Sequence, residues 1–209
     1  PLTDELLKLF KKNGLGNASS LTCTLSPALP FAVLSPEKTH STHVQKVNGR
    51  VVYEGVATAT RQALANGIPV GLGTDSACPF VTHYDMWREV VYFQRHTGVT
   101  PEFALHTATL KNAQLLGVAN ETGSIETGKS ADLIVLDANP LDDLCALRNV
   151  EQVYMAGKPV KYKAKHLPKI DAELDGIMNG LDNDPFVSEW DIASEKKSLN
   201  PFAKRGAKE

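Results

Sequence analysis

The sequence predicts an α/β protein, and two observations carry that prediction. Helical and strand-like segments alternate up to Gly117 in the order helix, strand, helix, strand, helix, helix. Beyond Gly123 a strand-like pattern replaces the helical period, which indicates a small β unit joined to the α/β body. The 209 residues are 42% hydrophobic and 22% charged, a composition typical of a globular protein that buries a core.

The elements of the body are predicted from their caps and breakers. Thr3 is a suitable N-cap for a first helix, and a later helix ends at Gly67. Residues 68–75 form an apolar strand without alternation, as expected of a strand that is buried on both faces. The predicted segments, in chain order, are helix 3–14, strand 21–25, helix 54–66, strand 68–75, helix 85–96 and helix 100–116.

The last part of the chain is predicted to hold the β unit and a charged tail. Residues 131–137 and 150–155 are strand-like, and Gly157 and Lys158 form a hairpin turn after them. From residue 161 onward the chain carries nine basic and nine acidic side chains and few apolar ones. We therefore expect the tail to wrap the surface or to be partly mobile.

The charge pattern does not favour nucleic acid or a membrane surface as the main partner, because 22 basic side chains are mixed with 24 acidic ones. No apolar run approaches the roughly 18 residues of a membrane span, and the first residues do not resemble a targeting segment. The three cysteines are far apart and fit neither a disulfide framework nor a paired-thiolate zinc site. A reducing, cytoplasmic location is the expectation.

Residues 123–130 match the phosphate-loop pattern G-x-x-x-x-G-K-[ST], but their context is wrong for that site. A phosphate loop follows a buried strand and opens a helix, whose amino terminus and backbone N–H groups cradle the phosphates. Here a helix ends at Gly117 and a strand-like run follows, so Lys129 is expected to lie in a turn that enters a strand. Nucleotide binding is the least favoured of the hypotheses.

Asp75 is the leading candidate for a functional residue, because the sequence places it at the carboxyl end of a buried strand. The alternative is that this carboxylate merely caps the next turn, and the pattern leaves both roles open. His83 and Arg88 follow it and are weaker candidates for substrate contacts or for support of the site, with a surface helix charge as the alternative for Arg88. His40 and His43 have the spacing of a metal pair, but the Thr and Ser around them favour a solvated loop.

A series of motifs in fixed order resembles the carboxyl half of the amidohydrolase superfamily. Within it the sequence is most similar to the imidazolonepropionase and prolidase-like branch, and the resemblance covers residues 1–161. The residues that carry it are Gly73-Thr74-Asp75-Ser76, Glu89, Gly98-Val99-Thr100-Pro101, Ala104-Leu105, Ala108-Thr109, Asn112-Ala113, Leu116-Gly117, the run from Gly123 to Asp137, and Asn139-Pro140-Leu141.

The resemblance implies a metal-dependent hydrolase of C–N bonds in a small-molecule amide, cyclic amide or dipeptide. It implies a β/α (TIM-like) barrel in residues 1–122, from the helix after the sixth strand through the eighth strand and its helices. Residues 123–161 would form a segment of a small β-sandwich, and residues 162–209 the charged tail. Asp75 matches the family aspartate that ends the eighth strand, where it binds a divalent metal, expected to be zinc, and carries a proton to the leaving nitrogen.

The family's other metal ligands have no match in this sequence. They are a His-x-His pair on the first barrel strand, a lysine or glutamate on the fourth, and histidines on the fifth and sixth. We therefore expect the chain to be a carboxyl-terminal fragment that is inactive without the amino-terminal half of the same enzyme. The alternative is a catalytically inactive binding or scaffold domain, and homo-oligomerisation is left open.

Overall fold

The computed structural model describes residues 1–13, 20–161 and 164–188, and it shows a mixed α/β protein. The last part of the predicted tail, residues 189–209, lies outside the described residues. The helices are α1 (Asp4–Lys12), α2 (Leu29–Val33), α3 (Pro36–Thr39), α4 (His43–Ala65), α5 (Met86–Thr97), α6 (Pro101–His106), α7 (Asn112–Leu115), α8 (Pro168–Gly180) and α9 (Pro185–Ser188). The strands are β1 (Leu21–Cys23), β2 (Val70–Leu72), β3 (Leu133–Leu136), β4 (Val150–Met155) and β5 (Lys158–Pro159).

Strands β1 and β2 form a parallel pair, with Leu21 opposite Val70 and Cys23 opposite Leu72. Helix α4 lies on the connection between them, as in a βαβ unit, and the apolar side chains of both strands enter the core. Because the strands are parallel, their carboxyl ends lie at the same edge of the sheet. No further strand joins this pair within the described part of the chain, so these residues do not close a barrel.

Helix α4 has 23 residues and is longer than predicted, because it begins at His43 and not near Glu54. Thr42 accepts a hydrogen bond from the backbone N–H of Gln45, whose side chain accepts one from the backbone of Thr42. This reciprocal capping box fixes the earlier start of the helix. Gly49 then allows α4 to pack closely on α2, since a Cβ atom there would lie 2.6 Å from the Cβ of Phe31.

The predicted helix 100–116 is present but is not regular throughout. Thr100 caps α6, a π-helical turn follows over Thr107–Lys111, and α7 continues from it. None of the described helices combines the length and the apolar character needed to cross a membrane.

The β unit is an antiparallel sheet in the order β3, β4, β5. Ala156 and Gly157, both with positive φ, form the turn between β4 and β5 near the predicted position. The sheet leaves apolar side chains of both β3 and β4 exposed to solvent, namely Ile134, Val135, Val150, Val153 and Met155.

The segment 164–188, which we call the carboxyl-terminal segment, folds against the body instead of only wrapping its surface. Its apolar side chains recur at helical spacing and are buried: Leu174, Ile177, Met178 and Leu181. They join the core cluster that contains β1, β2 and α5. The prediction for the tail rested on its average composition, which conceals these apolar residues at helical spacing.

Candidate active site

Asp75 lies just beyond β2, whose position is fixed by a helix. The backbone N–H of Leu72 donates to Oδ1 of Asn112 at 2.9 Å, and Nδ2 of Asn112 donates to the carbonyl of Leu72 at 2.9 Å. Gly71 permits this approach, because a Cβ atom there would lie 2.9 Å from both Asn112 Oδ1 and Leu115 Cδ1. The buried strand therefore presents the next residues at a defined edge of the sheet.

The loop from β2 to α5, residues 73–85, is called the Asp75 loop. Asp75 has a φ of 53°, Ala77 of 84° and Phe80 of 65°, all in the region that side-chain-bearing residues rarely adopt. The side chain of Asp75 is exposed, and its Oδ2 accepts a weak hydrogen bond from the Cys78 thiol at 3.6 Å. Such backbone strain persists only where surrounding contacts impose it.

His83 and Arg88 occupy different environments. His83 is exposed, and its ring packs edge-on against Tyr84. Arg88 is only 2% exposed, so it is not a surface helix charge, and Nη2 binds Oδ1 of Asp175 at 2.7 Å. Its Nε lies 3.3 Å from Oδ2 of Asp85. Burial lowers the pKa of Arg88, but its carboxylate partners, with Asp175 first, outweigh burial and keep the pKa above the ordinary value.

A small cavity lies beneath the Asp75 loop, with a volume of about 10 Å³. Nη1 of Arg88 and the hydroxyl of Tyr92 are buried there without a hydrogen-bond partner among the described residues. Ser26 from the turn after β1 and Thr74 from the Asp75 loop also line it. The cavity therefore joins the carboxyl ends of both strands to α5.

Glu89 carries one of the family motifs but was not predicted as a site residue, and it joins α5 to the turn that follows β1. Its side chain is fully buried on α5 and accepts from the backbone N–H of Leu25 at 2.7 Å and of Ser26 at 2.9 Å. The Ser26 hydroxyl adds a third hydrogen bond at 2.5 Å. Burial raises the pKa of Glu89 to about 7, although the Ser26 and Leu25 donors oppose that shift. The sequence signal that could have indicated this role is a carboxylate in the apolar part of α5, beside Val90 and Val91.

The segment that matches the phosphate-loop pattern, residues 123–130, forms a turn, as predicted. It belongs to the connection between α7 and β3, residues 116–132, which we call the glycine loop. Lys129 donates within that loop, to the Ser124 hydroxyl at 2.5 Å and to Oε1 of Glu126 at 3.0 Å. A strand follows the loop where a phosphate site requires a helix.

The described residues do not form a metal site by themselves. No group of three or more His, Cys, Asp or Glu side chains is arranged to hold a metal ion in the described ranges. Asp75 is one carboxylate, whereas a catalytic zinc takes about three protein ligands. His40 and His43 do not change this result, since both are exposed, at the end of α3 and the start of α4.

Comparisons with known proteins agree on one family. The profile of the Amidohydrolase family matches residues 13–160. An imidazolonepropionase from Thermoplasma acidophilum is 36% identical over 95 residues, which cover 46% of this chain and 23% of that protein. An S-triazine hydrolase from Gordonia rubripertincta is 32% identical over 114 residues, covering 49% of this chain and 24% of that protein.

A solved structure described as a putative prolidase from Bifidobacterium longum shares 44% identity, with a TM-score of 0.79 over 84% of this chain and 44% of that chain. A Xaa-Pro dipeptidase with bound methionine in its active site shares 27% identity, with a TM-score of 0.61 over 77% of this chain and 38% of that chain. The chain thus spans about a quarter of these curated relatives and less than half of these solved chains. It belongs to the amidohydrolase family, in the imidazolonepropionase and prolidase-like branch.

Proposed function

We propose that this chain supplies the Asp75 side of the active site of a metal-dependent hydrolase that cleaves C–N bonds. The observation that carries the proposal is the exposed Asp75 carboxylate at the carboxyl end of a buried parallel strand. Barrel enzymes place their catalytic residues at this end of their strands. The family and its hydrolase relatives support the reaction class.

In this proposal β1 and β2 are the seventh and eighth strands of a β/α barrel, and β3 to β5 are a segment of a β-sandwich. Members of the family typically bind a divalent metal, and we propose zinc. Its remaining ligands, together with the other strands, would come from the amino-terminal half of the enzyme. We assign no step through the metal, because the described residues supply only one candidate ligand.

Asp75 has the chemistry that such hydrolysis needs. When water attacks the carbonyl carbon, the new C–O bond forms at the expense of the C–N bond, and the nitrogen leaves with a proton. A carboxylate that faces the reacting atoms can accept the proton from water and pass it to that nitrogen. We propose a dipeptide with a carboxyl-terminal proline as the first substrate to test, since the structure described as a putative prolidase shares 44% identity. A cyclic amide is the alternative.

The replacement Asp75→Asn in the full-length enzyme tests this function. It keeps the size of the side chain and removes proton acceptance, so we expect hydrolysis of Xaa-Pro dipeptides and of a cyclic amide to fall by about 100-fold or more. The matched control is Asp142→Asn, which changes an exposed aspartate outside the loop. Circular dichroism and Tm should be unchanged in both variants. Retention of more than about a tenth of the parental activity by Asp75→Asn would contradict the assigned role.

A binding or scaffold domain without catalysis is the second candidate, and the single candidate ligand favours it. Metal content separates the two functions, because an enzyme that binds zinc through several ligands keeps it during dialysis against a weak chelator. We expect the full-length protein to retain about one zinc ion or more after this dialysis. Complete loss of the metal, with no turnover of either substrate class, would favour the scaffold.

A further inference from the structure

We propose that Tyr84, Asp171 and Asp175 are positioning residues, through which the carboxyl-terminal segment holds the Asp75 loop in its described conformation. The segment lies beyond the family match, which ends at residue 160. The inference rests on the proposed function only for the role of Asp75, since the contacts themselves do not depend on that role.

The first anchor is Tyr84, which lies at the end of the Asp75 loop. Its hydroxyl donates to Oδ1 of Asp171 at 3.0 Å and accepts from the backbone N–H of Leu167 at 2.9 Å. Its ring packs on the ring of His166 at a centroid distance of 4.3 Å. Three residues of the carboxyl-terminal segment therefore converge on one side chain of the loop.

The second anchor is the ion pair between Arg88 and Asp175. Oδ2 of Asp175 also accepts from Nη2 of Arg148 at 3.0 Å, so one carboxylate joins α5 to the helical turn before β4. The guanidinium of Arg88 lies over the ring of Trp87, 4.5 Å from its centroid. An ion pair with one partner this deeply buried is costly to break, because the remaining charge stays desolvated.

The third contact is direct packing. Leu174 of α8 lines the cavity beneath the loop together with Thr74 and Phe80, and it is buried. Thr74 precedes Asp75, and Phe80 is one of the residues with positive φ. The loop needs external contacts to keep that backbone conformation, and the carboxyl-terminal segment provides them on one side.

Cys78 provides a reporter that does not depend on catalysis. It lies half-buried in the loop, whereas Cys23 is fully buried in β1. The full-length protein is exposed to N-ethylmaleimide for timed intervals, and modification at each cysteine is followed by peptide mass spectrometry. We expect Asp175→Ala and Tyr84→Phe to raise the rate at Cys78 about fivefold or more and to leave Cys23 unmodified.

The matched control is Glu173→Gln on the same helix. Glu173 pairs with Lys38 of α3 at 2.8 Å, an exposed contact that does not involve the Asp75 loop, so the Cys78 rate should stay at the parental value. Tyr84→Phe removes a single oxygen atom and keeps the test available if Asp175→Ala fails to fold. Parental Cys78 rates in the folded variants would overturn the proposal, as would equal rises at Cys78 and Cys23, which indicate global unfolding. Because no substrate is used, the result is independent of the test of Asp75 in catalysis.

Discussion

The Asp75 loop and the glycine loop both carry family motifs, yet they are held in opposite ways. The Asp75 loop is fixed from outside, because the hydroxyl of Tyr84 donates to Asp171 and Leu174 lines the cavity beneath the loop beside Thr74 and Phe80. The glycine loop is fixed largely by its own groups, because Lys129 bonds within it and the N–H of Ser130 donates to the carbonyl of Glu121 at 2.8 Å. A strained loop with an exposed carboxylate and remote anchors is suited to a site, and a self-contained turn is suited to entering a strand.

The replacement Glu89→Gln should weaken the contact between α5, the helix that follows the Asp75 loop, and the turn after β1, and it gives the largest expected effect. One acceptor oxygen becomes an NH₂ group, which then faces a backbone N–H of Leu25 or Ser26. We expect the free energy of unfolding at pH ~5 to fall by about 3 kcal/mol, as for a buried carboxyl group that loses hydrogen bonds. Urea denaturation measures this change. An equal stability of parent and variant would show that these three hydrogen bonds do not stabilise the contact between α5 and the turn after β1.

The replacement Gly123→Ala tests the packing of the glycine loop against the helical residues Leu110 and Ala113. Gly123 has a φ of 94°, and an added Cβ would lie 2.6 Å from the Cβ of Ala113 and 3.2 Å from the Cα of Leu110. We expect a loss of about 2 kcal/mol from strain and overlap together. Gly128→Ala is the matched control, since its φ is 93° and the space around it is open. Equal losses in both variants would assign the whole effect to backbone strain.

The pH dependence of stability should distinguish the two regions further, because burial raises the pKa of Glu89 to about 7. An unfolded glutamate titrates near pH ~4.3, so the folded protein holds a proton that the unfolded chain has released. The stabilising contribution of Glu89 is therefore complete below that lower value and is lost as the pH rises towards about 7. Between pH ~5 and pH ~7.5 the stability difference between the parent and Glu89→Gln should narrow by about 2 kcal/mol. A difference that stays constant would contradict the raised pKa.

Much of the body could be predicted from local sequence signals. Contacts between residues far apart in the sequence could not. The caps at Thr3 and Thr100 and the unbroken apolar run into Asp75 lie within a few residues of the elements they define. The capping box at Thr42 was equally local and was overlooked, which left α4 too short. The partner of Arg88 lies 87 residues later, so no pattern near Arg88 reveals its burial against Asp175.

The replacement Lys129→Ala should have the smallest effect of the four changes, on both stability and activity. Its ammonium binds Ser124 and Glu126 within the same loop, and Glu126 is largely exposed. We expect the free energy of unfolding to fall by about 0.5 kcal/mol or less, as for a pair near the surface. Hydrolase activity should be unchanged, because this loop leads into the β unit and not to the strand ends that present Asp75. Calorimetry with ATP on parent and variant provides the second measurement, with no binding expected in either. ATP binding by the parent that the variant loses would restore the phosphate-loop interpretation.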